Sequence, residues 1–413
     1  MLDVVTIRDA VGSVRALMRR GFTAREMVPA RGALGRVLSC DVVAAGDLPP
    51  FDRSTVDGYA VRARDTFGAS ESMPAYLTLC GDVVMGSMPV RNLEAGSAMR
   101  ILTGGALPPG ADAAAMLEYC EEPGDGDVAV GYSVSPGENV IKRGEDVAAG
   151  SVVLRDGHRL RPQELGALEG LGVVEVGVYA RPMVGVLSTG DEVVDPCRDP
   201  GPGQIRDVNA AALAGSIERD GMTPVFLGVA PDSADELRAI LRDALELDAV
   251  VISGGSSAGV RDVVAATLDS LGEPGVVVHG LALRPGKPAI LAVIGDRLVA
   301  GLPGHPASAL VAYRTVVSAL LRHLGGEDLG DDPVRFALGI PFRARCSRSL
   351  ASAPGRDEFV RCTVRREGAE AWVDPVLGKS GLISTLTRAE AMIHIPLDAG
   401  GVEAGAFVDV YPI

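Results

Sequence analysis

The pattern of apolar and polar positions is most regular between residues 183 and 322. Short apolar runs such as Ala249-Val250-Val251-Ile252 alternate there with segments whose apolar residues recur every three or four positions. A short run rich in β-branched residues and closed by glycine is typical of a buried parallel strand, and the longer spacing is typical of a helix. The alternation therefore predicts an α/β layer domain with strands near 184–187, 225–229 and 249–252.

Local signals indicate where the helices of this region begin. Ser233 is followed three residues later by Glu236, the pattern of a capping box, and Leu237 and Leu241 then fall on one helical face. A helix is therefore predicted to begin after Ser233. The same spacing predicts further helices over 208–220, 262–271 and 307–322.

The pattern changes on both sides of this domain. From about residue 51 to 140, short apolar runs stand between Gly and Pro turns, which predicts a small β-rich domain. After Asp331 the helical periodicity disappears, and short strands such as 359–364 and 391–395 predict a terminal β-barrel or sandwich. Residues 1–44 are expected to be helical, with the apolar spacing ending near Arg19-Arg20-Gly21 and a short extended or helical connector at 34–43. Another helix is expected at 162–171. The predicted fold class is α/β plus all-β modules in several domains.

Composition narrows the class of protein. The 413 residues are 47% hydrophobic, which supports packed cores, and the formal charge of −15 argues against nonspecific binding to nucleic acid or anionic membranes. Six scattered cysteines without a C-x-x-C pair favour a reduced, cytoplasmic protein without a zinc site. The chain shows no signal-peptide pattern and no run long enough to span a bilayer, so no membrane association is expected.

The candidate chemistry lies in four loops of the α/β domain. They contain Ser188-Thr189-Gly190-Asp191-Glu192, Ser253-Gly254-Gly255, Arg284-Pro285-Gly286-Lys287-Pro288 and Gly301 to Pro306. Ligands of open α/β sheets bind outside the carboxyl ends of the strands, so these loops are predicted to converge on one pocket. Glycine-lined turns and two cations favour a phosphorylated ligand. Asp191, Glu192 and Asp262 are candidates to hold Mg²⁺ between that ligand and the protein.

Each loop also has a simpler structural explanation. A lone Gly-Gly pair is more often a tight turn, Thr-Gly-Asp occurs as a helix cap, and Pro306 suits the first turn of a helix. Arg284 and Lys287 equally fit a solvated surface. His305 fits polar packing better than metal binding, since no second histidine lies near it in the sequence. None of these motifs carries a function alone.

Together with three earlier motifs, the loops resemble a known family. The earlier motifs are PPFDRSTVDGYA (49–60), LTGGALPPGAD (102–112) and GENVIKRGED (137–146), and the later ones are STGDE (188–192), SGG (253–255), RPGKP (284–288) and GLPGHPAS (301–308). Seven motifs in this order resemble the molybdopterin molybdenumtransferases, the molybdenum-insertion enzymes related to the E domain of gephyrin. The resemblance extends from about residue 5 to the end.

The resemblance implies an architecture and a reaction. It implies a discontinuous first domain of 1–44 and 141–180, a β-rich domain of 45–140, an α/β molybdopterin-binding domain of 181–326 and a C-terminal β-barrel of 327–413. The substrates would be adenylylated molybdopterin and molybdate, AMP would be released, and Mg²⁺ would be required. The implied assembly is a homodimer whose partner supplies the β-rich domain to a shared active site.

By motif match, the resemblance also implies functional residues. Those with an implied catalytic role are Asp57, Thr103, Asp146, Glu192, Asp232 and Asp262. Those with an implied binding role are Arg284, Lys287, Pro303, Pro306, Arg356 and Ser384. The loop residues Ser188, Thr189, Gly190, Ser253, Gly254 and Gly255 are predicted to bind the phosphorylated ligand because of their place in the glycine-lined turns.

Three positions depart from the family pattern. His305 stands where the family usually has Asn, Arg284 where it has Lys, and Ser256 where it has an apolar residue. The first change adds a titratable ring, and the second keeps the charge with a different geometry. Two other functions stay open: a non-catalytic paralogue that binds the finished cofactor or scaffolds other proteins, and the sister adenylyltransferase that shares the α/β fold. Three additional domains argue against the adenylyltransferase.

Overall fold

The computed structural model describes residues 4–21, 23–254 and 258–413, with the side chains of 258–261 excepted. Its centre is a six-stranded sheet. The first four strands in spatial order are parallel, and the fourth, fifth and sixth strands form two antiparallel pairs. In spatial order the strands are Thr223–Ala230, Met183–Thr189, Ala249–Ser253, Arg297–Leu302, Ile290–Ile294 and Pro274–His279. The predicted α/β domain is confirmed.

Helices cover both faces of this sheet. One face packs against Ile7–Arg15, Asn209–Arg219 and the long helical segment built from Pro306–Ala312, a π turn at Tyr313–Val317 and Ser318–Leu324. The other face packs against Ala234–Ala244 and Ala258–Asp269. The Ser233 hydroxyl accepts the Glu236 N–H at 3.5 Å, as the capping signal predicts. The helix expected to begin at 262 begins earlier, at Ala258.

A second six-stranded sheet forms the β-rich region. In spatial order its strands are Ala113–Met116, Gly58–Val61, Ser97–Ile101, Ala75–Asp82, Asp127–Val130 and Cys120–Gly124. Short helical turns at Ala63–Thr66 and Leu117–Tyr119 accompany it.

The terminal region is a closed barrel rather than a sandwich. Its five strands are Phe342–Cys346, Asp357–Glu367, Glu370–Pro375, Ala391–Ile395 and Phe407–Pro412. The long strand Asp357–Glu367 pairs with both Glu370–Pro375 and Ala391–Ile395, which closes the ring. Its first residues also pair with Leu283–Arg284 from the central region, and this pairing connects the barrel to the α/β domain. Leu350–Ala351 and Gly401–Val402 form a ribbon, and Pro333–Leu338 and Ser384–Thr387 are short helices.

The segment 1–44 is less helical than expected. Among its described residues only Ile7–Arg15 is an α-helix, followed by the strand Arg25–Pro29, a short 3-10 turn at Ala30–Gly32 and the strand Val42–Val43, which falls in the predicted connector. The helix ends at Arg15 although Leu17 keeps the apolar spacing, and the stretch that follows contains Gly21 and Pro29, which favour other conformations. The strands find partners far along the chain, in Glu175–Tyr179 and Val152–Leu154. Arg53–Ser54 pairs with Val140–Ile141, and the helix Pro162–Gly170 lies where it was predicted.

A buried ionic cluster, here the Glu327 joint, fastens three parts of the chain together. The Glu327 carboxylate accepts hydrogen bonds from Arg159 at 2.5 Å and from Arg322 at 2.6 Å. Arg159 also donates to the backbone oxygen of Asp220 at 2.6 Å. Burial raises the pKa of Glu327, but the hydrogen bonds and charges of Arg322 and Arg159 outweigh it, so the net shift is downward. Within the described ranges, no helix is long and apolar enough to cross a bilayer.

Candidate functional site

The register of the central sheet lines up hydroxyl side chains at one rim. Ser188 lies opposite Ser253, and Ser253 lies opposite Leu302, so three parallel strands end at the same level. The antiparallel hairpin of Ile290–Ile294 and Arg297–Leu302 places the start of one strand beside the end of the other, with Ile290 opposite Gly301. Loops that precede a strand can therefore reach this rim as well as loops that follow one.

A cavity of about 390 Å³, here the first cavity, opens at the rim. This volume falls within the usual range for small-molecule sites. Its lining residues are Ser188, Thr189, Glu192, Val193, Ile205, Arg206, Asp207, Val208, Asn209, Ser253, Gly254, Gly304, His305, Pro306, Gly381 and Ile383. Three of the four predicted loops meet here.

Two hydroxyl groups of the first cavity are buried without a hydrogen-bond partner among the described residues. Ser188 is 2% exposed and Thr189 is 3% exposed, and no described residue bonds to either side-chain oxygen. Leaving a buried hydroxyl unsatisfied costs about 1–3 kcal/mol, so such groups require an explanation. Their place at the wall of a cavity indicates that a polar ligand supplies the missing hydrogen bonds.

Asn209 organises the opposite side of the same cavity. Its side-chain amide donates to the Ser253 hydroxyl and to the Gly304 backbone oxygen, both at 2.8 Å. Asn209 is the first residue of the helix Asn209–Arg219, and its backbone N–H donates to the Asp207 carboxylate at 2.9 Å. Asn209 thus ties two of the rim loops together. Asn209 was not among the predicted site residues, although the Asp207-Val208-Asn209 stretch at a helix start was a usable signal.

Gly254 is required by the close approach of two rim loops. A Cβ at this position would lie 2.3 Å from both the backbone oxygen and the side-chain oxygen of Thr189. Its φ of +138° is also one that side chains rarely adopt. The glycine therefore brings the strand end Ser253 against Thr189. The predicted Gly255, and Ser256 next to it, lie outside the described residues.

Three carboxylates crowd the outer edge of the rim. The Asp191 carboxylate accepts the Asp232 backbone N–H at 3.1 Å, and Glu192 lines the first cavity. Partial burial, together with the negative charges of Asp191 and Glu192, raises the pKa of Asp232. A concentration of negative charge that disfavours ionisation is a chemical fit to a divalent cation. Among the described residues, however, no group of three His, Cys, Asp or Glu side chains is arranged to hold a metal by itself.

A second cavity of about 550 Å³ lies between the Arg284 loop and the terminal barrel. It contains Arg284, Arg361 and Lys379, with Glu358 paired to Arg284 at 3.3 Å. Arg361 is 7% exposed, and one of its guanidinium nitrogens, Nε, has no partner among the described residues, although Nη2 donates to the Gly378 oxygen at 3.1 Å. Burial lowers the pKa of Arg361. A buried cation with an unused donor fits an oxyanion.

The two cavities share a wall, residues 378–383. Gly378, Lys379 and Ser380 line the second cavity, and Gly381 and Ile383 line the first. This shared wall belongs to the terminal barrel region. Neither the shared wall nor Arg361 was predicted, because neither stands at the end of a strand with a glycine-rich loop.

Asp57 and Thr103 form a site of their own in the β-rich region. The Asp57 carboxylate accepts the Thr103 backbone N–H at 2.7 Å and the Thr103 hydroxyl at 2.8 Å. These two bonds hold the pKa of Asp57 below its ordinary range. Neither residue is among those that line the two cavities. The prediction that a second subunit brings them to the rim stays a prediction.

The remaining predicted residues are distributed as follows. Gly190 and Pro303 lie in the rim loops, and Pro306 lines the first cavity. Asp146, Asp262, Lys287 and Ser384 are exposed and, like the half-buried Arg356, are outside the two linings described above. One side-chain nitrogen of Arg356, Nε, is buried without a partner. The expectation of one pocket for all four loops is wrong, because Arg284 lies on the second cavity.

The family models that match this chain define the class of protein to which it belongs. Three family models cover the chain in order: the MoeA N-terminal region with domains I and II at 5–172, a probable molybdopterin binding domain at 185–323, and the MoeA C-terminal region with domain IV at 343–413. The chain is thus a multidomain protein of the molybdopterin-biosynthesis class. It belongs to the molybdopterin molybdenumtransferase, or MoeA, family.

Individual relatives agree over nearly the whole chain. Molybdopterin molybdenumtransferase 2 of Mycobacterium tuberculosis is 34% identical over 399 residues, 94% of each chain. The molybdopterin molybdenumtransferase of Bacillus subtilis is 31% identical over 411 residues, 98% of this chain and 93% of the relative. The crystal structure of a molybdopterin biosynthesis MoeA protein from Pyrococcus horikoshii superimposes with a TM-score of 0.80 at 30% identity, covering all of both chains.

Proposed function

We propose that this protein inserts molybdenum from molybdate into the dithiolene of adenylylated molybdopterin and releases AMP, as a step of molybdenum cofactor biosynthesis. One observation carries the proposal. The domain that matches a molybdopterin-binding family has, at its strand ends, a cavity whose buried Ser188 and Thr189 hydroxyls lack partners. The phosphate and pterin oxygens and nitrogens of the substrate would satisfy these hydroxyls.

The first cavity would hold the nucleotide-tagged pterin. Ser188, Thr189 and Ser253 are neutral groups that bind phosphate oxygens through hydrogen bonds, and Arg206 adds a positive charge to the same lining. Asn209 would keep two of the rim loops at a fixed separation. The net charge of −15 does not oppose this binding, because screening limits exposed charges to about 8 Å at ~0.15 M salt.

Mg²⁺ would be held by Asp191, Glu192 and Asp262, together with phosphate oxygens of the substrate. The raised pKa of Asp232 beside Asp191 and Glu192 supports a cation in this place. When bound, the ion would neutralise charge on the pyrophosphate link. Asp232 would orient the loop through its N–H bond to Asp191.

Molybdate would enter through the second cavity. Arg284, Arg361 and Lys379 supply positive charge there, and the unused Arg361 nitrogen supplies a hydrogen-bond donor. A unit charge at 4 Å contributes about 4 kcal/mol at an effective dielectric of ~20, enough to concentrate a dianion locally. The shared wall would keep the metal source next to the pterin without mixing the two sites.

The active form would be a homodimer whose second subunit contributes Asp57 and Thr103. Their mutual hydrogen bonds support a preformed acidic site that is separate from the cavities of its own chain. Mixing Asp57→Asn protein with Glu192→Gln protein should restore activity, because one of the two sites in each mixed dimer has both residues intact. Failure of the mixture, with both variants folded, would remove the shared site.

The central test is an incubation of purified protein with adenylylated molybdopterin, molybdate and Mg²⁺. We expect AMP release and a cofactor that activates a molybdoenzyme apoprotein. Glu192→Gln should lower turnover by roughly 100-fold, as typical loss of a catalytic carboxylate does, with an unchanged melting temperature. No AMP release and no active cofactor from the wild-type protein would favour a non-catalytic, cofactor-binding paralogue.

A second test addresses the oxyanion. Arg361→Gln should weaken molybdate binding, measured by calorimetry, by roughly 10- to 100-fold, because a charged hydrogen bond is lost. Arg366→Gln is the matched control, since Arg366 is exposed near the end of the same strand. Equal behaviour of the two variants would place molybdate elsewhere.

A further inference from the structure

One side chain connects the two cavities through the shared wall. His305 lines the first cavity, and its Nδ1 lies 3.0 Å from the hydroxyl of Ser380, which lines the second. The wall is fixed at the same point by the Ala307 N–H, which donates to the Ser380 backbone oxygen at 3.1 Å. A Cβ on Gly381 would already contact the His305 ring at 3.5 Å, so the ring lies directly against the wall.

When the imidazole is neutral, this pair has two possible arrangements. A serine hydroxyl has one hydrogen to donate, and a neutral imidazole has one N–H and one acceptor nitrogen. In the first arrangement Ser380 donates to His305 Nδ1, and the proton of the ring is on Nε2. In the second, His305 Nδ1–H donates to Ser380, and the Ser380 hydrogen is free for another acceptor.

An oxyanion in the second cavity selects between them. Molybdate at neutral pH offers only acceptors, so Ser380 can bind it only by donating its single hydrogen. His305 must then donate from Nδ1, which leaves Nε2 of the neutral ring as an acceptor in the first cavity. The hydrogen bond at Nδ1 thus sets whether Nε2 is a donor or an acceptor.

We propose that His305 is a positioning residue that couples the two cavities, so that an oxyanion bound beside Ser380 fixes the Nδ1–H form of the ring and turns Nε2 into an acceptor facing the pterin site. This inference rests on the proposed oxyanion role of the second cavity. The charged groups that line the first cavity with His305 are Glu192, Arg206 and Asp207, and those that line the second with Ser380 are Arg284, Glu358, Arg361 and Lys379. The wall therefore separates a mixed-charge lining from a mainly cationic one.

The consequence for the reaction is an order of events. With molybdate absent, Ser380 is free to donate to Nδ1, and the ring can then offer Nε2–H as a donor; with molybdate present, Nε2 accepts a hydrogen bond from a group of the pterin substrate. The first cavity would then present the matching hydrogen-bonding pattern only when the metal source is in place.

The test is nitrogen-15 NMR of the histidine rings in the full-length chain at constant pH, with and without saturating sodium molybdate. The chain has five histidines, and the signals missing from His305→Asn protein identify His305. We expect molybdate to move the His305 Nδ1 signal from the position of an acceptor nitrogen to that of a protonated one, and Nε2 in the opposite direction. The Ser380→Ala variant should lose this exchange and bind molybdate roughly tenfold more weakly.

Matched variants separate coupling from simple packing. Thr387→Ala removes an exposed hydroxyl from the same chain segment and should leave the exchange intact. His305→Ala should weaken molybdate binding roughly tenfold, whereas His305→Asn should restore it, because a carboxamide can also donate to Ser380.

The outcomes are distinct. If molybdate binds and the His305 signals do not exchange, the coupling is refuted while the oxyanion cavity stands. If the wild-type chain binds no molybdate, the oxyanion cavity fails and the coupling fails with it. Exchange of the signals in Ser380→Ala protein would also refute the coupling, since the hydroxyl would then have no part in it.

Discussion

The rim of the central sheet and the Glu327 joint both bury polar atoms, but they satisfy them differently. At the joint, the Glu327 carboxylate is bonded by two guanidinium groups. At the rim, the hydroxyls of Ser188 and Thr189 are as deeply buried and have no partner in the part of the chain that the structure describes. The polar groups of the joint stabilise the fold by bonding to one another, whereas the hydroxyls of the rim are available to a ligand.

Burial without a partner is not sufficient evidence for a binding role. Thr267, in the helix Ala258–Asp269, is 1% exposed and its hydroxyl also lacks a partner, but it lines neither cavity. Unsatisfied hydroxyls indicate a ligand at the rim because two of them adjoin one cavity. A buried hydroxyl therefore indicates a ligand only when it both lacks a hydrogen bond and lies at the wall of a cavity.

The largest expected effect is on the joint. Glu327→Gln leaves Arg159 and Arg322 without their carboxylate, so we expect a loss of about 3 kcal/mol in the free energy of unfolding, measured by urea titration. Because the pKa of Glu327 is lowered in the fold, its stabilisation is present at neutral pH and is lost as the pH falls below about 4. The difference between wild type and variant should therefore shrink in acid.

Asp328→Asn is the control for that experiment. Asp328 is the next residue, its side chain is 71% exposed, and it lies 3.6 Å from Arg15. An exposed pair of this kind contributes at most about 0.5 kcal/mol. Equal losses in the two variants would show that the joint is no more than a surface interaction.

The intermediate effect is on the rim and should spare stability. Thr189→Val replaces an unsatisfied hydroxyl by a methyl group of the same shape, so the free energy of unfolding should change by less than about 0.5 kcal/mol. The kcat/KM for adenylylated molybdopterin should fall roughly tenfold, because one hydrogen bond to the ligand is lost. Thr267→Val should change neither quantity. A stability loss in Thr189→Val without a kinetic change would reverse the interpretation of the rim.

The smallest effect is on the acidic edge of the rim. A raised pKa of Asp232 means that its ionisation opposes folding, so this contribution to stability is intact in acid and is lost as the pH rises through the raised pKa. Asp232→Asn should therefore melt at or slightly above the wild-type temperature at pH 7 without Mg²⁺, and equally at pH 3. Added Mg²⁺ should raise the melting temperature of the wild type more than that of the variant.

Asp235→Asn provides the comparison for the acidic edge, because its side chain is almost fully exposed in the following helix. We expect its Mg²⁺ response to match that of the wild type. A wild-type response in Asp232→Asn as well would argue against a cation beside Asp232.

The central sheet was predictable because its signals are local. A run such as Ala249–Ser253 followed by glycine specifies a strand, its end and a close turn within seven residues. Hence Ser188, Thr189 and Ser253 could be placed at one rim from the sequence. The helix after Ser233 was predictable for the same reason, since its cap and its apolar face are contained in one short segment.

The second cavity could not be predicted because it depends on pairings between distant segments. Arg361 lies on a barrel strand whose alternation of residues marks only which face is buried, and Ser380 lies in an irregular segment. Their meeting with Arg284 follows from the pairing of Leu283–Arg284 with the start of Asp357–Glu367. The strand Arg25–Pro29 was missed for a related reason, because its partner Glu175–Tyr179 lies 150 residues away.

The hairpin of the central sheet offers a position for attaching a label or a surface tether. Its two strands run from the rim to a turn at Gly295 and Asp296, both exposed at the far end of the strands. A fluorophore or a surface tether attached there would be held by two buried strands, about 17–20 Å from the chemistry for strands of five or six residues. Immobilisation through this turn would thus leave both cavities accessible to substrates from solution.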